Sequence, residues 1–377
     1  MTGHTSKEEQ TLRSFRVSRE SPVSLRVGRF LRASIESGAL GPGTRLPDTR
    51  TLAKMWGVNP STVQAAMVQL TSEGLLAGAP GRGRHVQDVP RKLTCVGIYE
   101  RAEVETVNEF MSMRFLSAEL RRVLGQADIK TRMFVDDRRV SARDAAPMSE
   151  LAQACSRGEI QGVILTTSTW KVLEWMSSLG VPFSAHSRGR RDCVVEPEAK
   201  QAMNLALREL ARRGCRSFGV FPVEKLDKRG EQSDPCYDVR ESHDFMLDLA
   251  AHLNLAPCDK WMLSRPGRRN GSSVEQFGYD SFKRLWNGHA HPDGLYVRDD
   301  VVARGVLLAM SECGVRVPDD LKLVLFRCQE IGMLCPVPAS FVELSLCEVA
   351  RALIAHLERQ VEGHPPARTL LRYRLVQ

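Results

Sequence analysis

Short apolar runs alternate with helical patterns along most of the chain, and this alternation limits the possible folds more than any other feature. From Leu93 onward, each run typical of a buried strand is followed by a segment with the periodicity of an amphipathic helix. The strand-like runs are LTCVGIY, TRMFV, GVILTT, CVV, SFGVF, DGLYV and LKLVLF. Such alternation predicts parallel sheets covered by helices. The units are too many for one small sheet, so we expect a two-lobed α/β region.

A compact helical unit precedes this region. Residues 43–76 read GTRLPDTRTLAKMWGVNPSTVQAAMVQLTSEGLL, and another amphipathic helical pattern comes before them. Asp48 or Thr49 can cap a short helix that Gly57 ends, and Asn59 can cap the next helix, which has a proline in its first turn. The following LLAGAPGRGRHVQ is typical of a glycine-rich β-ribbon. Three helices and a hairpin predict an α+β winged helix-turn-helix domain, so the chain is expected to be multidomain.

The positive charge is concentrated in this N-terminal part. The formal net charge of the 377 residues is +8. Residues 11–92 contain 13 Lys and Arg against 5 Asp and Glu, so the whole excess lies in about one fifth of the chain. A focused basic region favours a polyanionic partner such as nucleic acid. The alternative is a basic face that is merely solvated.

The helical unit resembles the DNA-binding domain of the GntR family of bacterial regulators over residues 25–86. The matching positions are Pro42-Gly43, Arg45-Leu46-Pro47, Arg50, Gly57-Val58, Thr62-Val63 and Glu73-Gly74-Leu75. The resemblance implies that the third helix enters the major groove and that the hairpin follows the backbone or the minor groove. The residues expected to contact DNA are Arg45, Arg50, Asn59, Ser61, Thr62, Gln64, Arg82, Gly83 and Arg84.

Two departures fall where the family reads DNA. Asn59-Pro60 replaces the usual serine-arginine, and Gln64 replaces a later arginine. An asparagine or glutamine amide can form a bidentate pair with adenine. The alternative is that Asn59 only caps its helix and Gln64 is only a solvated polar residue. The four arginines are expected to bind phosphates or the minor groove, which supplies affinity rather than sequence discrimination.

The C-terminal region resembles the LacI/GalR family of repressors and its periplasmic-binding-protein relatives. The resemblance rests on EPEAKQAMNLALRELARRGCRSFGVF, HPDGLYVRDDVVARGVLLAMSECGVRVPDDLKLVLF and ELSLCEVARALIAHLERQVEGHPPARTLLRYRLV. It implies two α/β lobes around a cleft, closure on a ligand, and dimerisation through this region. The positions that correspond to effector-binding residues are Glu196, Arg240, Asp299, Asp300 and Arg327.

One departure bears on the effector. The family often follows its last core strand with Phe-Asp-Asp, whereas this chain has Phe326-Arg327-Cys328. Arg240 and Arg327 together would suit a carboxylate or phosphate group, so a sugar, a sugar acid or a sugar phosphate is expected. The alternatives are a pocket that has lost its ligand, or an ion pair between Arg327 and Asp299 or Asp300.

The expected domains follow from these resemblances. They are a flexible N-terminus at 1–20, the winged helix-turn-helix at 21–87, a linker at 88–92 and the effector-binding and dimerisation domain at 93–377. Within the last domain we expect lobe 1 at about 93–213 and 327–341, and lobe 2 at about 214–326 and 342–377.

The sequence therefore predicts an effector-responsive transcriptional regulator, a repressor that binds a pseudo-palindromic operator as a homodimer. No catalytic motif of the GxGxxG, GxxxxGK[ST], HExxH or GxSxG type is present, and the ten cysteines form no CxxC pair. We expect no enzyme activity, no cofactor, no metal, no membrane segment and a cytoplasmic location. The alternative functions are a small-molecule binding module whose head contacts proteins, and an enzyme.

Overall fold

The structure is a computed structural model that describes residues 7–15, 23–36, 38–78, 83–87, 93–102, 111–187, 192–223, 239–264, 273–288 and 290–377. The described residues divide into two compact units. The first unit comprises those in Met1–Ala102, Arg121–Ala185 and Leu353–Ala367. The second comprises those in Glu103–Leu120, His186–Ala352 and Arg368–Gln377.

The elements within the described residues are numbered in chain order. The helices are α1 Lys7–Arg13, α2 Val23–Glu36, α3 Thr49–Trp56, α4 Pro60–Ser72, α5 Met111–Gln126, α6 Val140–Ala145, α7 Ser149–Ser156, α8 Trp170–Ser178, α9 Ala199–Arg212, α10 Val239–His252, α11 Val274–Trp286, α12 Asp300–Glu312 and α13 Leu346–Val361. The strands are β1 Arg45–Leu46, β2 Leu76–Ala77, β3 Arg84–Val86, β4 Cys95–Arg101, β5 Lys130–Asp136, β6 Gly162–Leu165, β7 Phe183–His186, β8 Val194–Pro197, β9 Ser217–Val223, β10 Ala256–Ser264, β11 Gly294–Val297, β12 Lys322–Cys328, β13 Ser340–Leu344, β14 Thr369–Leu371 and β15 Arg374–Val376.

Residues 23–86 have the predicted winged helix-turn-helix topology, which we call the head. Helices α2, α3 and α4 are followed by an antiparallel sheet with the strand order β1-β3-β2. Leu31 of α2, Leu52 of α3 and Met67 of α4 are all at most 1% exposed and share one hydrophobic core. The predicted tip of the hairpin and the predicted linker at 88–92 lie outside the described residues.

A helix that the sequence did not predict precedes the head. The segment expected to be flexible contains α1, and Leu12 and Phe15 are buried in the core of the head. The indole Nε1–H of Trp56 donates a hydrogen bond of 2.7 Å to the carbonyl of Leu12. Residues 7–15 are therefore packed as part of the head, because two apolar side chains and one buried hydrogen bond fix them there.

The first unit contains a parallel sheet with the order β5-β4-β6-β7. Strand β4 lies between β5 and β6, because the chain passes from β4 to β5 on one side and then returns to form β6 on the other side. The backbone carbonyl of Leu353 in α13 accepts a hydrogen bond from the buried hydroxyl of Ser184 in β7. The later part of α13 thus belongs to the core of this unit.

The second unit contains a six-stranded sheet with the order β10-β9-β11-β12-β13-β15. All neighbouring pairs are parallel except β13 and β15, which are antiparallel. This unit also holds a parallel pair formed by β8 and β14. The two sheets confirm the predicted α/β class with parallel sheets.

Helix α9 covers one face of the second unit's sheet. Its Ala206, Leu207 and Leu210 are fully buried and share a core with Phe218 of β9 and Val324 of β12. The sequence assigned residues 199–212 to the first lobe, whereas the structure packs them in the second unit. The segment 327–341, also assigned to the first lobe, runs between β12 and β13 of the second unit's sheet.

Candidate nucleic-acid interface and effector site

The local sequence fixes the position of α4, the predicted recognition helix. The Asp48 carboxylate caps α3 by accepting hydrogen bonds of 2.9 Å from the backbone N–H groups of Arg50 and Thr51. Hydrogen bonds from the backbone and hydroxyl of Thr51 lower the pKa of Asp48. Gly57 ends α3 with a left-handed backbone, φ 65°, where a side chain would cost free energy. Asn59 then caps α4.

The two faces of α4 differ sharply in burial. Val63, Met67 and Leu70 are at most 1% exposed and belong to the core of the head. Ser61 is exposed, and Thr62 is partly exposed. The polar first turn of the helix is therefore available to a partner, while the apolar face holds the helix against α2 and α3.

Three of the predicted DNA-contacting arginines lie on other elements of the head. Arg45 on β1 and Arg50 in the first turn of α3 are exposed. A Cβ atom at Gly83, where φ is +84°, would lie 2.9 Å from Nε of Arg45, so glycine is required for the Arg45 guanidinium to lie over this backbone. Arg84 is partly buried, and Arg82 lies outside the described residues.

Gln64 is engaged within the head. Its Oε1 atom accepts a hydrogen bond of 3.1 Å from the Thr49 hydroxyl and one of 3.4 Å from an Nη1–H of Arg84. The side chain thus joins α3, α4 and the wing strand β3. Its place beside the exposed first turn of α4 keeps it a candidate for reading DNA.

Asn59 also uses its carbonyl oxygen internally. Its Oδ1 atom accepts a hydrogen bond of 3.0 Å from the backbone N–H of Ser61 and one of 2.8 Å from the Ser61 hydroxyl. The helix-capping role considered from the sequence is thus present. A contact between Asn59 and DNA stays a prediction.

The other end of α4 is fixed by a charge cluster. Arg32 of α2 donates a hydrogen bond of 2.5 Å to the Glu73 carboxylate, and the Gln69 amide donates one of 3.0 Å to the same carboxylate. This pair was not predicted, because Arg32 and Glu73 lie far apart in the sequence. It fixes the orientation of α4 against α2.

Three of the predicted effector residues lie at one edge of the second unit's sheet. Asp299 and Asp300 follow β11, and Arg327 lies near the end of β12, its parallel neighbour. The carboxyl ends of parallel strands are where α/β domains commonly bind ligands. Arg240 is exposed in the first turn of α10, and Glu196 lies on β8.

The two aspartates have different roles. Asp299 caps α12, since its Oδ1 accepts hydrogen bonds of 2.9 Å from the backbone N–H groups of Val301 and Val302. Burial and the nearby charge of Asp299 raise the pKa of Asp300. Burial and the carboxylates of Asp300 and Glu330 likewise raise the pKa of the Cys328 thiol. This edge of the sheet is therefore acidic.

Arg327 does not pair with either aspartate. Its Nε donates a hydrogen bond of 2.6 Å to the Glu343 carboxylate, and its guanidinium lies 3.7 Å from the centre of the Phe341 ring. The proposed ion pair with Asp299 or Asp300 was therefore wrong in its partner. Glu343 lies directly opposite Arg327 on β13, so strand register decides the pairing.

Glu196 is also held in an ion pair. The residue is 5% exposed, and its Oε2 accepts hydrogen bonds of 3.2 and 2.7 Å from Nε and Nη2 of Arg368. It lies two residues before Glu198, which occupies the cap position of α9 without a side-chain cap. The Glu196 carboxylate is thus engaged by Arg368 on the strand side of this helix start.

Glu330 is a partly buried carboxylate that follows β12 and that the sequence did not single out. It accepts hydrogen bonds from the Ser345 hydroxyl at 2.6 Å and from the backbone N–H groups of Leu346 and Cys347 at 2.8 and 3.0 Å. Burial opposes its ionisation, but these hydrogen bonds outweigh burial and lower the pKa of Glu330. Across the described ranges, no group of three or more His, Cys, Asp and Glu residues is placed to hold a metal ion. No helix in the described part of the chain is long and apolar enough to cross a membrane.

Two protein families match separate parts of the chain. Residues 23–86 match the bacterial regulatory proteins of the gntR family, and residues 207–377 match the periplasmic binding protein-like domain. The chain thus has an N-terminal GntR-type helix-turn-helix domain and a C-terminal periplasmic-binding-protein-like domain. This combination matches the architecture of the LacI/GalR-type regulators.

Individual proteins are similar to stretches of this chain. An uncharacterised helix-turn-helix regulator of Bacillus subtilis, YisV, is 44% identical over 78 residues, which are 20% of this chain and 16% of that protein. The ribose operon repressor of Halalkalibacterium halodurans is 25% identical over 225 residues, 56% of this chain and 59% of that protein. The chain therefore spans less than two thirds of either relative.

A solved structure gives the fold of the larger part. The LacI family transcription regulator from Clostridium acetobutylicum superposes with a TM-score of 0.59 and 16% identity, covering 76% of this chain and 99% of that one. At this identity the likeness establishes the fold alone.

Proposed function

We propose that this chain is an effector-responsive transcriptional repressor that binds double-stranded DNA through its head and a small molecule through its C-terminal region. The pairing of a gntR-type domain with a periplasmic-binding-protein-like domain supports this proposal. Two of the relatives are named as repressors, the ribose operon repressor of Halalkalibacterium halodurans and the repressor PurR of Klebsiella pneumoniae. The function also implies a cytoplasmic location, because the operator is there.

The capped and exposed first turn of α4 is the observation on which the DNA-binding role rests. The apolar face of α4 is buried, so the helix is rigidly oriented, while Ser61 and Thr62 remain accessible. Arg45 on β1 and Arg50 on α3 lie exposed in the same head and can neutralise phosphates. A helix held this way can place its N-terminal side chains against base edges in the major groove.

A homodimer completes the proposal. A single head covers only a few base pairs, whereas two heads related by a two-fold axis would cover both halves of a pseudo-palindromic operator. Dimerisation is typical of the repressors that this chain resembles.

The effector is proposed to be a sugar-like polyhydroxyl molecule. Asp299 and Asp300 supply carboxylate oxygens that can accept hydroxyl hydrogens at the carboxyl edge of the second unit's sheet. Arg327 is paired with Glu343, so its charge is largely compensated and it offers less to an anionic group. This favours a neutral sugar over a sugar acid or sugar phosphate.

Effector binding is proposed to change DNA affinity through differential binding to two conformations. The required coupling free energy is about 1–3 kcal/mol, or about 5–150-fold in affinity. Purified full-length chain should be screened by thermal shift with neutral sugars, sugar acids and sugar phosphates. We expect a neutral sugar to raise the melting temperature, and sugar acids and sugar phosphates to leave it unchanged.

Selection from a pool of randomised duplexes tests the DNA-binding role. Full-length chain should enrich one inverted repeat, and the Arg50→Ala variant should bind it more weakly because a phosphate contact is lost. Arg284→Ala provides the matched control, since Arg284 is an exposed arginine in the last turn of α11 outside the head. It should bind the duplex like the unmodified chain.

Failure to enrich any duplex would contradict the proposal. It would favour a head that contacts proteins, joined to a small-molecule binding domain. A chain that turned over a small molecule would instead point to an enzyme.

A further inference from the structure

The amide oxygen of Gln64 is already saturated by the head itself. A carbonyl oxygen has two lone pairs. Those of Gln64 Oε1 accept from the Thr49 hydroxyl at 3.1 Å and from Nη1–H of Arg84 at 3.4 Å. These two donors come from α3 and β3. The oxygen is therefore engaged within the head, whereas the N–H groups of the amide take no part in these hydrogen bonds and can be offered to another partner.

Arg84 fixes this orientation of the amide. A guanidinium is purely a hydrogen-bond donor, so it can bind the oxygen of the amide but not its amino group. Turning the amide by 180° would place Nε2–H against Nη1–H of Arg84. The Thr49 hydroxyl could rotate to accept, but the arginine could not. Arg84 is partly buried, and its Nε has no accessible surface and no hydrogen-bond partner in the structure, so the guanidinium has little freedom to move away.

The amide of Asn59 also uses its oxygen as an acceptor, in a separate set of hydrogen bonds. Its Oδ1 accepts from the backbone N–H and the hydroxyl of Ser61, at 3.0 and 2.8 Å. The first of these hydrogen bonds caps α4, and losing such a cap destabilises a helix. Both amides near the start of α4 thus have their oxygens occupied by hydrogen bonds within the head.

Bidentate recognition of adenine needs an oxygen acceptor and an amino donor on one amide. The amino group of adenine would here meet another amino group. Guanine instead presents two adjacent acceptors, O6 and N7, in the major groove. Thymine presents one acceptor, and cytosine presents a donor. The free N–H groups of a donor-only amide match guanine best.

We propose that Gln64 is a specificity-determining residue that presents only its amino group to DNA and selects guanine, with Thr49 and Arg84 as the positioning residues that hold it so. This differs from the adenine contact that the sequence left open beside a merely solvated Gln64. The inference rests on the proposed DNA-binding function.

The test is a selection from randomised duplexes with the full-length chain and its variants, read by sequencing. Comparison of the unmodified chain with Gln64→Ala identifies the base pair that Gln64 reads, as the position where preference is lost. We expect guanine at that position, preferred over adenine by about tenfold, and no preference after Gln64→Ala.

Two further variants examine the mechanism. In the Thr49→Val/Arg84→Met variant the amide oxygen is free, so the same position should change from guanine to adenine. In Gln64→Glu the side chain can only accept, so the preference should move to cytosine. If the double variant fails to fold, the comparison of the unmodified chain with Gln64→Ala still decides between guanine and adenine, because it changes no neighbour of the glutamine.

The outcomes separate this inference from the proposed function. Adenine at the position that Gln64→Ala abolishes would overturn the donor-only assignment while leaving DNA binding intact. A Gln64→Ala variant with unchanged preference at every position would remove Gln64 from the readout. Enrichment of no duplex by any form would overturn the proposed function, and the inference with it.

Discussion

The packing of α1 on the head predicts a large effect from a single substitution, Phe15→Ala. The Phe15 ring is 8% exposed, and its centre lies 5.1 Å from the ring centres of both Phe30 and Trp56. Truncating a buried phenylalanine to alanine costs about 3–5 kcal/mol. We expect about 3 kcal/mol, the lower end, because α1 is a helix of only 7 residues and can relax into part of the space left.

Hydrogen exchange followed by mass spectrometry measures this effect in the full-length chain. A loss of about 3 kcal/mol corresponds to roughly 150-fold faster exchange of amides in α3 and α4 that exchange through unfolding of the head. Peptides from the second unit's sheet should exchange at their normal rates, which provides an internal reference.

Arg13→Ala is the matched control on the same helix. Arg13 forms an exposed ion pair with Glu9 at 2.7 Å, and such pairs contribute about 0.5 kcal/mol or less. Its exchange pattern in the head should match the unmodified chain. If Phe15→Ala changed exchange in α3 and α4 by no more than Arg13→Ala does, residues 7–15 would not be part of the folded head.

Three further substitutions test the second unit and one control tests the method. Gly305→Ala should destabilise the second unit by about 3 kcal/mol or more, because a Cβ there would overlap a backbone carbonyl of α11. Gly125→Ala in α5 is the control. A Cβ at Gly125 would meet nothing within 4 Å, so this substitution should raise the melting temperature slightly. Asp300→Asn should raise the melting temperature at pH 7. Burial and the neighbouring Asp299 carboxylate raise the pKa of Asp300 in the folded state above its ordinary value of 3.8, so ionised Asp300 destabilises the fold. The increase in melting temperature should shrink as the pH falls towards 4, because Asp300 then becomes protonated. Arg327→Met should lower the free energy of unfolding in urea by about 1–2 kcal/mol, because Glu343 loses its cation. Adding Glu343→Gln should recover part of that loss. If the effects of the two substitutions on the free energy of unfolding simply add, the two side chains do not interact.

The head was predictable because its signals are local. Asp48, Gly57 and Asn59 each cap or end a helix through contacts within three to five residues, and the structure has all three in those roles. Packing of α1 could not be predicted in the same way. Leu12 and Phe15 are two apolar residues in a polar stretch, and their burial depends on Phe30 and Trp56.

The parallel sheets were predictable in class but not in full. The buried strands have continuous apolar runs, as in β11, whose four residues are all buried. Strand β10 reads APCDKWMLS and pairs only at the edge of its sheet, so most of its side chains are partly or fully exposed and no apolar run marks it. Helix α11 was not predicted from the sequence. The packing of α9 against β9 and β12 could not be inferred either, because it depends on contacts between residues far apart in the chain.

The effector residues show where sequence reasoning stops. The pairing of Arg327 with Glu343 follows from the register of β12 and β13, and the pairing of Glu196 with Arg368 joins residues 172 positions apart. Neither register nor such a distant contact can be inferred from one sequence. The resemblance selected Asp299 and Asp300 after β11 as effector residues, which stays a prediction, and the raised pKa of Asp300 became apparent only from the structure.

The salt dependence of DNA binding tests the central claim most directly. Affinity for the enriched duplex should be measured by fluorescence anisotropy at several salt concentrations, for the unmodified chain and for Arg50→Ala. Phosphate contacts predict a steep linear fall of log affinity with log salt, with a slope of about −0.9 per contact, and Arg50→Ala should flatten it by about one contact. Affinity that does not change with salt, or an Arg50→Ala slope equal to that of the unmodified chain, would contradict the claim that the head binds the DNA phosphates through Arg50.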